Sequence, residues 1–181
     1  GCNDGGGDNR LPQINSDGTM RFRVENSSAV AVLDATTTTA LTLNAWNHIL
    51  FSFDLTDASR RHIYINDTLD STTWTTYNTA GTIDFTQSNW YFATDRPSGN
   101  QFVGGIYDPW INFNATWLDI SDSAARAKFY DAGKPVFLGA SGSIPTAATP
   151  DVFLSGLFDA WENNRGTAGG FTEVGALTRF T

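Results

Sequence analysis

The chain has one cysteine, one methionine, two histidines and only 11 basic residues in 181 positions, and Glu occurs at just three of them, 25, 162 and 173. Each shortage excludes something. A lone Cys2 forms no intrachain disulfide and has no partners for a zinc site. It lies near the start, as a lipid-anchored cysteine would, but no apolar signal segment precedes it. Nineteen acidic against 11 basic side chains leave a net charge of −8, a repulsive field for phosphates that argues against nucleic acid as a partner. No apolar run approaches the roughly 18 residues of a membrane span; Ile49-Leu50-Phe51 is typical of the longest. Insertion into a membrane is therefore not expected.

What is present is 40% hydrophobic residues, 13% of all positions aromatic, and an abundance of Thr, Asn, Asp, Ser and Gly. Disordered chains have fewer aromatics. A chain of this length is expected to form one domain, 1–181, with a well-filled core. Helix formers are scarce and strand and turn formers common. After an Asp17-Gly18 turn, Met20 to Val24 alternates apolar and polar; Asn26-Ser27-Ser28 turns the chain into a second strand over 29–33. Ile49, Phe51, Phe53 and Leu55 share one face of a strand spanning about 46–55, which Asp57-Ala58-Ser59 joins to Arg61–Ile65. Further strands are expected at 73–77, 82–86, 89–94, 102–107, 110–118, 136–138, 151–155 and 171–176. About a dozen short strands predict an all-β, two-sheet antiparallel sandwich. One short helix is expected near 121–132, capped by Ser121 or Ser123 and ended by Gly133 and Pro135. Residues 139–150 read as a long surface loop, and 156–181 as a segment packing back on the sandwich.

Three stretches together resemble a known group. Leu43-Asn44-Ala45-Trp46-Asn47-His48-Ile49 followed by Arg61-His62-Ile63-Tyr64-Ile65-Asn66-Asp67 resembles the strand pair "W-x-H-I … l-Y-v-N-G" of laminin-G-like domains. Phe102-Val103-Gly104-Gly105-Ile106-Tyr107-Asp108 resembles the "F-x-G-x-i-x-d" strand that follows. These domains belong to the concanavalin A-like lectin/glucanase superfamily of jelly rolls. The stretch from Lys128 to Gly139, with Gly142 to Thr146, is similar to a tail found in laminin-G-like proteins of bacteriophages and prophages. The likeness runs from about 19 to 177. Such domains open with a strand before the equivalent of residue 20; Gly1 to Asn15 is Gly- and Asn-rich and predicts none, so part of the domain is expected to lie outside this chain.

The superfamily contains glucanases, whose paired carboxylates stand on one strand face in an E-x-D-x-E pattern, about 5–5.5 Å apart in retaining enzymes. No two acidic residues of this chain are two apart. Asp54/Asp57, Asp67/Asp70 and Asp119/Asp122 sit at turns or a helix start and are expected to bind backbone amides. His48 and His62 fall in expected strands without the serine of a relay, and Gly139-Ala140-Ser141-Gly142-Ser143 misses the second glycine of a nucleophile elbow. No catalytic residue is assigned.

A saccharide site needs an exposed aromatic face with amide, carboxylate or guanidinium hydrogen-bonders. Trp74 and Tyr77, set among threonines, and Asp95, Arg96 and Asn100 in a polar turn are the candidate ligand contacts; the last group follows from where laminin-G-like domains place a rim loop. Asp95 and Arg96 also read as a turn cap with a surface ion pair. Trp46, Trp90, Trp110 and Trp117 read as core, and Trp161 as packing the C-terminal segment. No cofactor is expected except calcium, for which Asp4, Asp8 and Asn9 around Gly5-Gly6-Gly7 are the candidate ligands. The expected function is a non-enzymatic lectin-like or decoration module of a phage or prophage virion protein. Its partners would be host-surface polysaccharide or other virion proteins, in a homo-oligomer within a larger assembly, at a virion surface or outside cells. The alternatives are a purely structural virion domain and a glycan-cleaving enzyme of the same fold.

Overall fold

Strand alternation and three register shifts build the N-terminal part of the molecule. The computed structural model describes residues 2–3, 8–84, 91, 102–113, 116–156 and 163–171, and divides into two compact units, Gly1–Phe102 and Val103–Thr181, described separately. In the first unit, β1 (Cys2–Asn3), β2 (Asp8–Ile14), β3 (Met20–Glu25), β4 (Ala31–Thr36) and β8 (Thr73–Tyr77) form an antiparallel sheet in the order β1-β2-β3-β4-β8. A second sheet holds β5 (Ile49–Phe53), β6 (Arg61–Ile65) and β7 (Thr68–Leu69). The strand Asp8–Ile14 corrects the expectation of none before residue 15. Its register on β3 shifts between Arg10 and Gln13, which accommodates Pro12, a residue that cannot donate to a regular ladder.

Met20, Phe22 and Val24 point inward from β3 and are buried, while Arg21 and Arg23 between them face out and are half-buried. They meet Ile63 and Ile65 of β6 and the half-buried Ile49, Phe51 and Phe53 of β5 in one hydrophobic cluster, with Phe22 and Phe51 rings 4.2 Å apart. Each large side chain buried here contributes roughly 1.5–3 kcal/mol. Turn side chains finish the strands. Asp17 accepts from the Thr19 amide, Asn26 from the Ser28 and Val30 amides, and Asp54 and Asp57 from Thr56 and Ser59, as the turn reading requires. Asp70, buried, accepts from the amides of Thr38 and Thr39 and the hydroxyls of Thr38 and Thr72. Burial pushes its carboxyl up, but the bonds from Thr39, Thr72 and Thr38 more than offset that and hold it below the ordinary value.

The second unit is sparser in ladders. β9 (Trp110–Ile111) pairs with β12 (Val152–Phe153), and β10 (Tyr130–Asp131) with β11 (Lys134–Pro135). The helix α1 is only Ser123–Arg126, and its cap is Asp122, accepting from the Ala124 amide, in place of Ser121 or Ser123. Gly133 ends no helix: with Ala132 it supplies the two positive-φ positions of the β10–β11 hairpin, at 47° and 77°. Residues 139–150 carry no regular element, but the segment is no mere surface loop, since Pro145 and Pro150 are fully buried. Asn164 replaces a ladder: it accepts from the Phe153 and Gly166 amides and donates to the Asp151 and Ala168 carbonyls. The strands expected at 102–107 and 136–138 are absent among the described residues, 82–84 is not a strand, and 110–118 and 151–155 shorten to two residues each. The remainder of 82–86, nearly all of 89–94 and 172–176 lie outside the described residues. The described fold is all-β apart from one short helix, and among the described residues no helix is long and apolar enough to cross a membrane.

Candidate functional site

Trp74 and Tyr77 are three residues apart, so a regular strand would send them to opposite faces. In β8 they share one. The register on β4 runs Trp74 opposite Ala35 and Thr76 opposite Asp34, which leaves Thr75 as an extra residue and turns Tyr77 inward opposite Leu33. Both aromatics are half-buried against the hydrophobic cluster. Their rings meet edge to face at 5.7 Å, and the Arg61 guanidinium lies 5.0 Å from the Trp74 centroid and 4.7 Å from that of Tyr77. The Tyr77 hydroxyl donates to the Asp54 carbonyl at 2.6 Å, and burial pushes its pKa up to about 12. The structure thus gives this pair a packing role at the margin of the core.

The other expected contacts are dispersed. Asp95, Arg96, Asn100, Asp4, Trp90 and Trp161 lie outside the described residues. Asp8 and Asn9 occupy β2 opposite Asn3 and Cys2. Among the described residues no group of three His, Cys, Asp or Glu side chains is placed to hold a metal ion. Trp110 packs edge to face on the buried Phe129, at 5.2 Å, and donates to the Gly142 carbonyl; Trp117 is half-buried.

The outward face of β3 and β4 gathers two carboxylates that sequence spacing did not bring together. Arg21 grips Asp34 through Nε at 2.8 Å and Nη2 at 2.5 Å, and Arg23 joins Asp34 at 3.0 Å to Glu25 at 2.7 Å. Glu25 and Asp34 are both buried. The signal was in the sequence: Arg21, Arg23 and Glu25 share one strand parity, and Asp34 stands opposite Arg23 in the ladder. Hydrogen bonding by Arg21 is the main reason the Asp34 carboxyl lies below its ordinary value, against the effect of burial, with both guanidinium charges adding to it. A glycosidase acid needs the opposite shift. Of the histidines, His62 stands in β6 opposite Ser52, and burial lowers His48 to about 4 although Asp67 works against this.

Trp46 corrects the sequence reading most sharply. Expected in the core, it is 66% exposed, and Leu43 beside it is 83% exposed. The loop that carries them is fixed from within. Asn47 accepts from the Thr42 amide at 3.1 Å and donates to the Thr42 and Ala45 carbonyls at 2.9 and 3.0 Å, while Asn44 takes a φ of 56° at the bend. The adjoining β6–β7 turn, Asn66-Asp67, is tied to it: Asn66 accepts from the His48 amide through its side chain and donates its own amide to the His48 carbonyl, both at 2.8 Å. Parity carried the clue. Ile49, Phe51 and Phe53 point inward, so Trp46 is out of phase with them.

Residues 2–116 match the family model Laminin_G_3, described as concanavalin A-like lectin/glucanases superfamily. Neither the curated proteins nor the solved structures yield a match.

Proposed function

The chain belongs to the concanavalin A-like lectin/glucanase superfamily, and on that footing we propose that it is a non-enzymatic, lectin-like display module that contacts host-surface glycan from a phage or prophage virion protein. The observation that carries the glycan reading is Trp46, an indole two-thirds exposed on a loop whose backbone is held by Asn47. A stacking surface fixed before binding loses little freedom when a sugar ring settles on it. The exposed Asn66 and Asp67 of the neighbouring turn supply polar groups beside it. The non-enzymatic reading is supported by Asp34 and Glu25, whose carboxylates are engaged by arginines, with Asp34 held in its charged form. The virion setting rests on the likeness of Lys128–Gly139 and Gly142–Thr146 to a stretch found in laminin-G-like proteins of bacteriophages and prophages, and with it go a surface location and partners among other virion proteins.

The test is a glycan array probed with the intact chain and with Trp46→Ala, together with a reducing-end assay on each bound polysaccharide. Binding that Trp46→Ala weakens, without release of reducing ends, is the expected result. No bound glycan would leave a purely structural domain, and release of reducing ends would establish the glycan-cleaving alternative.

A further inference from the structure

The second unit contains a cleft that the family match, ending at 116, barely reaches. Its volume is about 730 Å³, within the range of roughly 300–1,000 Å³ that small-molecule sites occupy. Trp117 and Ile144 give it apolar wall; Asn112, Lys128, Thr149, Asp151 and Thr167 give it polar groups.

Its walls are fixed. The segment 145–150 that forms one side is anchored at both ends by the fully buried Pro145 and Pro150. Lys128 crosses to it and donates to the Pro145 carbonyl at 3.1 Å. Asp151 accepts from the Phe113 amide at 2.7 Å, and Thr167 donates its amide to the Pro150 carbonyl at 2.8 Å. An ammonium has three protons, so Lys128 keeps donors for a ligand beyond the one that braces the wall. The mixture of groups narrows the ligand. One ammonium is too little cationic charge for a polyphosphate, and one carboxylate already accepting an amide is a poor cation cage. Hydroxyls, an amide and both charge signs around one indole instead match a ring with an apolar C–H face and a rim of hydroxyl groups.

We infer that the cleft between Trp117, Lys128 and the 145–150 segment is a saccharide-binding site, built from none of the residues of the loop that carries Trp46. It holds a short oligosaccharide, with Lys128 and Asn112 donating to its oxygens.

The intact chain is titrated with chitobiose, maltotriose and digalacturonate to about 10 mM, followed by ligand-observed NMR, which registers affinities near 1 mM. Thr149→Trp, at an exposed position on the cleft wall, fills the cleft, and Lys128→Ala removes its cation. Circular dichroism checks that each variant is folded. At least one probe is expected to bind, to lose affinity roughly tenfold in Thr149→Trp and Lys128→Ala, and to be unchanged in Trp46→Ala. Digalacturonate alone responding to Lys128→Ala would identify an acidic sugar as the ligand. Failure of all three probes to bind, or binding indifferent to both cleft variants, overturns the inference. A probe weakened by Trp46→Ala alone overturns the cleft while leaving the Trp46 proposal standing.

Discussion

The two units solve the same problem, how to satisfy backbone and bury apolar surface, by different means. The first, Gly1–Phe102, relies on six strands of five to seven residues, with the two-residue β1 and β7 beside them, and on a cluster filled from two sheets. The second, Val103–Thr181, has strands of two residues among its described residues and depends on single side chains that bond backbone: Asn164 with four such bonds, Asp151 on Phe113, Trp110 on Gly142. Losing a cluster side chain such as Phe22 in the first unit leaves a cavity; losing Asn164 or Asp151 in the second leaves orphaned amides and carbonyls. The difference sets where substitutions act and where a ligand surface is preformed.

The comparison is sharpest for Phe22→Ala. Removing a buried ring that packs 4.2 Å from Phe51 should cost about 3–5 kcal/mol, read by denaturant unfolding, with hydrogen exchange accelerating first in β3 and β4. A loss under about 1 kcal/mol would mean the cluster is not what holds this unit. Gly142→Ala is the counterpart in the second unit. Its φ is 72° and a Cβ would stand 2.8 Å from Phe153, so strain and overpacking together should cost about 3 kcal/mol. Exchange should rise at Val152 and Phe153 and spare β3. Asn164→Ala should cost about 2 kcal/mol in the same region, from orphaned backbone groups rather than lost apolar area. Asn164→Leu, which restores apolar area alone, should not rescue it.

Acid offers a smaller and more selective effect on the first unit. His48 titrates near 4 in the folded chain and near 6.5 when unfolded, so between these values the unfolded chain holds the extra proton and stability falls as pH falls. Allowing for solvent screening of a partly exposed ring, the loss should be about 1–2 kcal/mol, and His48→Gln should flatten it. Asp34 and Asp70 lie below their ordinary values, and their contribution disappears only on further acidification. A variant that kept the full slope between pH 6.5 and 4 would refute the assignment to His48.

The same contrast explains what the sequence revealed. Residues 20–24 alternate cleanly, and Ile49, Phe51 and Phe53 and then Ile63 and Ile65 keep period-two spacing, so these strands are legible in the chain. A bulge, which period-two reasoning has no way to place, brings Trp74 and Tyr77 to one face and packs both against the cluster. Trp46 could have been read from parity against Ile49, but its loop geometry depends on Asn47 bonding carbonyls two and five residues away. In the second unit the organising bonds run from Asn164 to Phe153 and from Asp151 to Phe113, 11 and 38 residues apart, with no periodic signature at all. Hence the helix was legible but its cap and its four-residue length were not, and the hairpin at Ala132-Gly133 and the cleft beside Trp117 were the parts least visible in the chain.

Trp46 and Trp74 separate display from packing in a single paired experiment: calorimetric titration of a host polysaccharide bound by the intact chain, repeated with each tryptophan changed to alanine and with melting followed in parallel. Trp46→Ala should lose roughly tenfold or more in affinity at unchanged melting temperature, whereas Trp74→Ala should lower the melting temperature first. Unchanged affinity in Trp46→Ala, with the loss appearing in a still stable Trp74→Ala, would contradict the assignment of the outward tryptophan as the glycan contact.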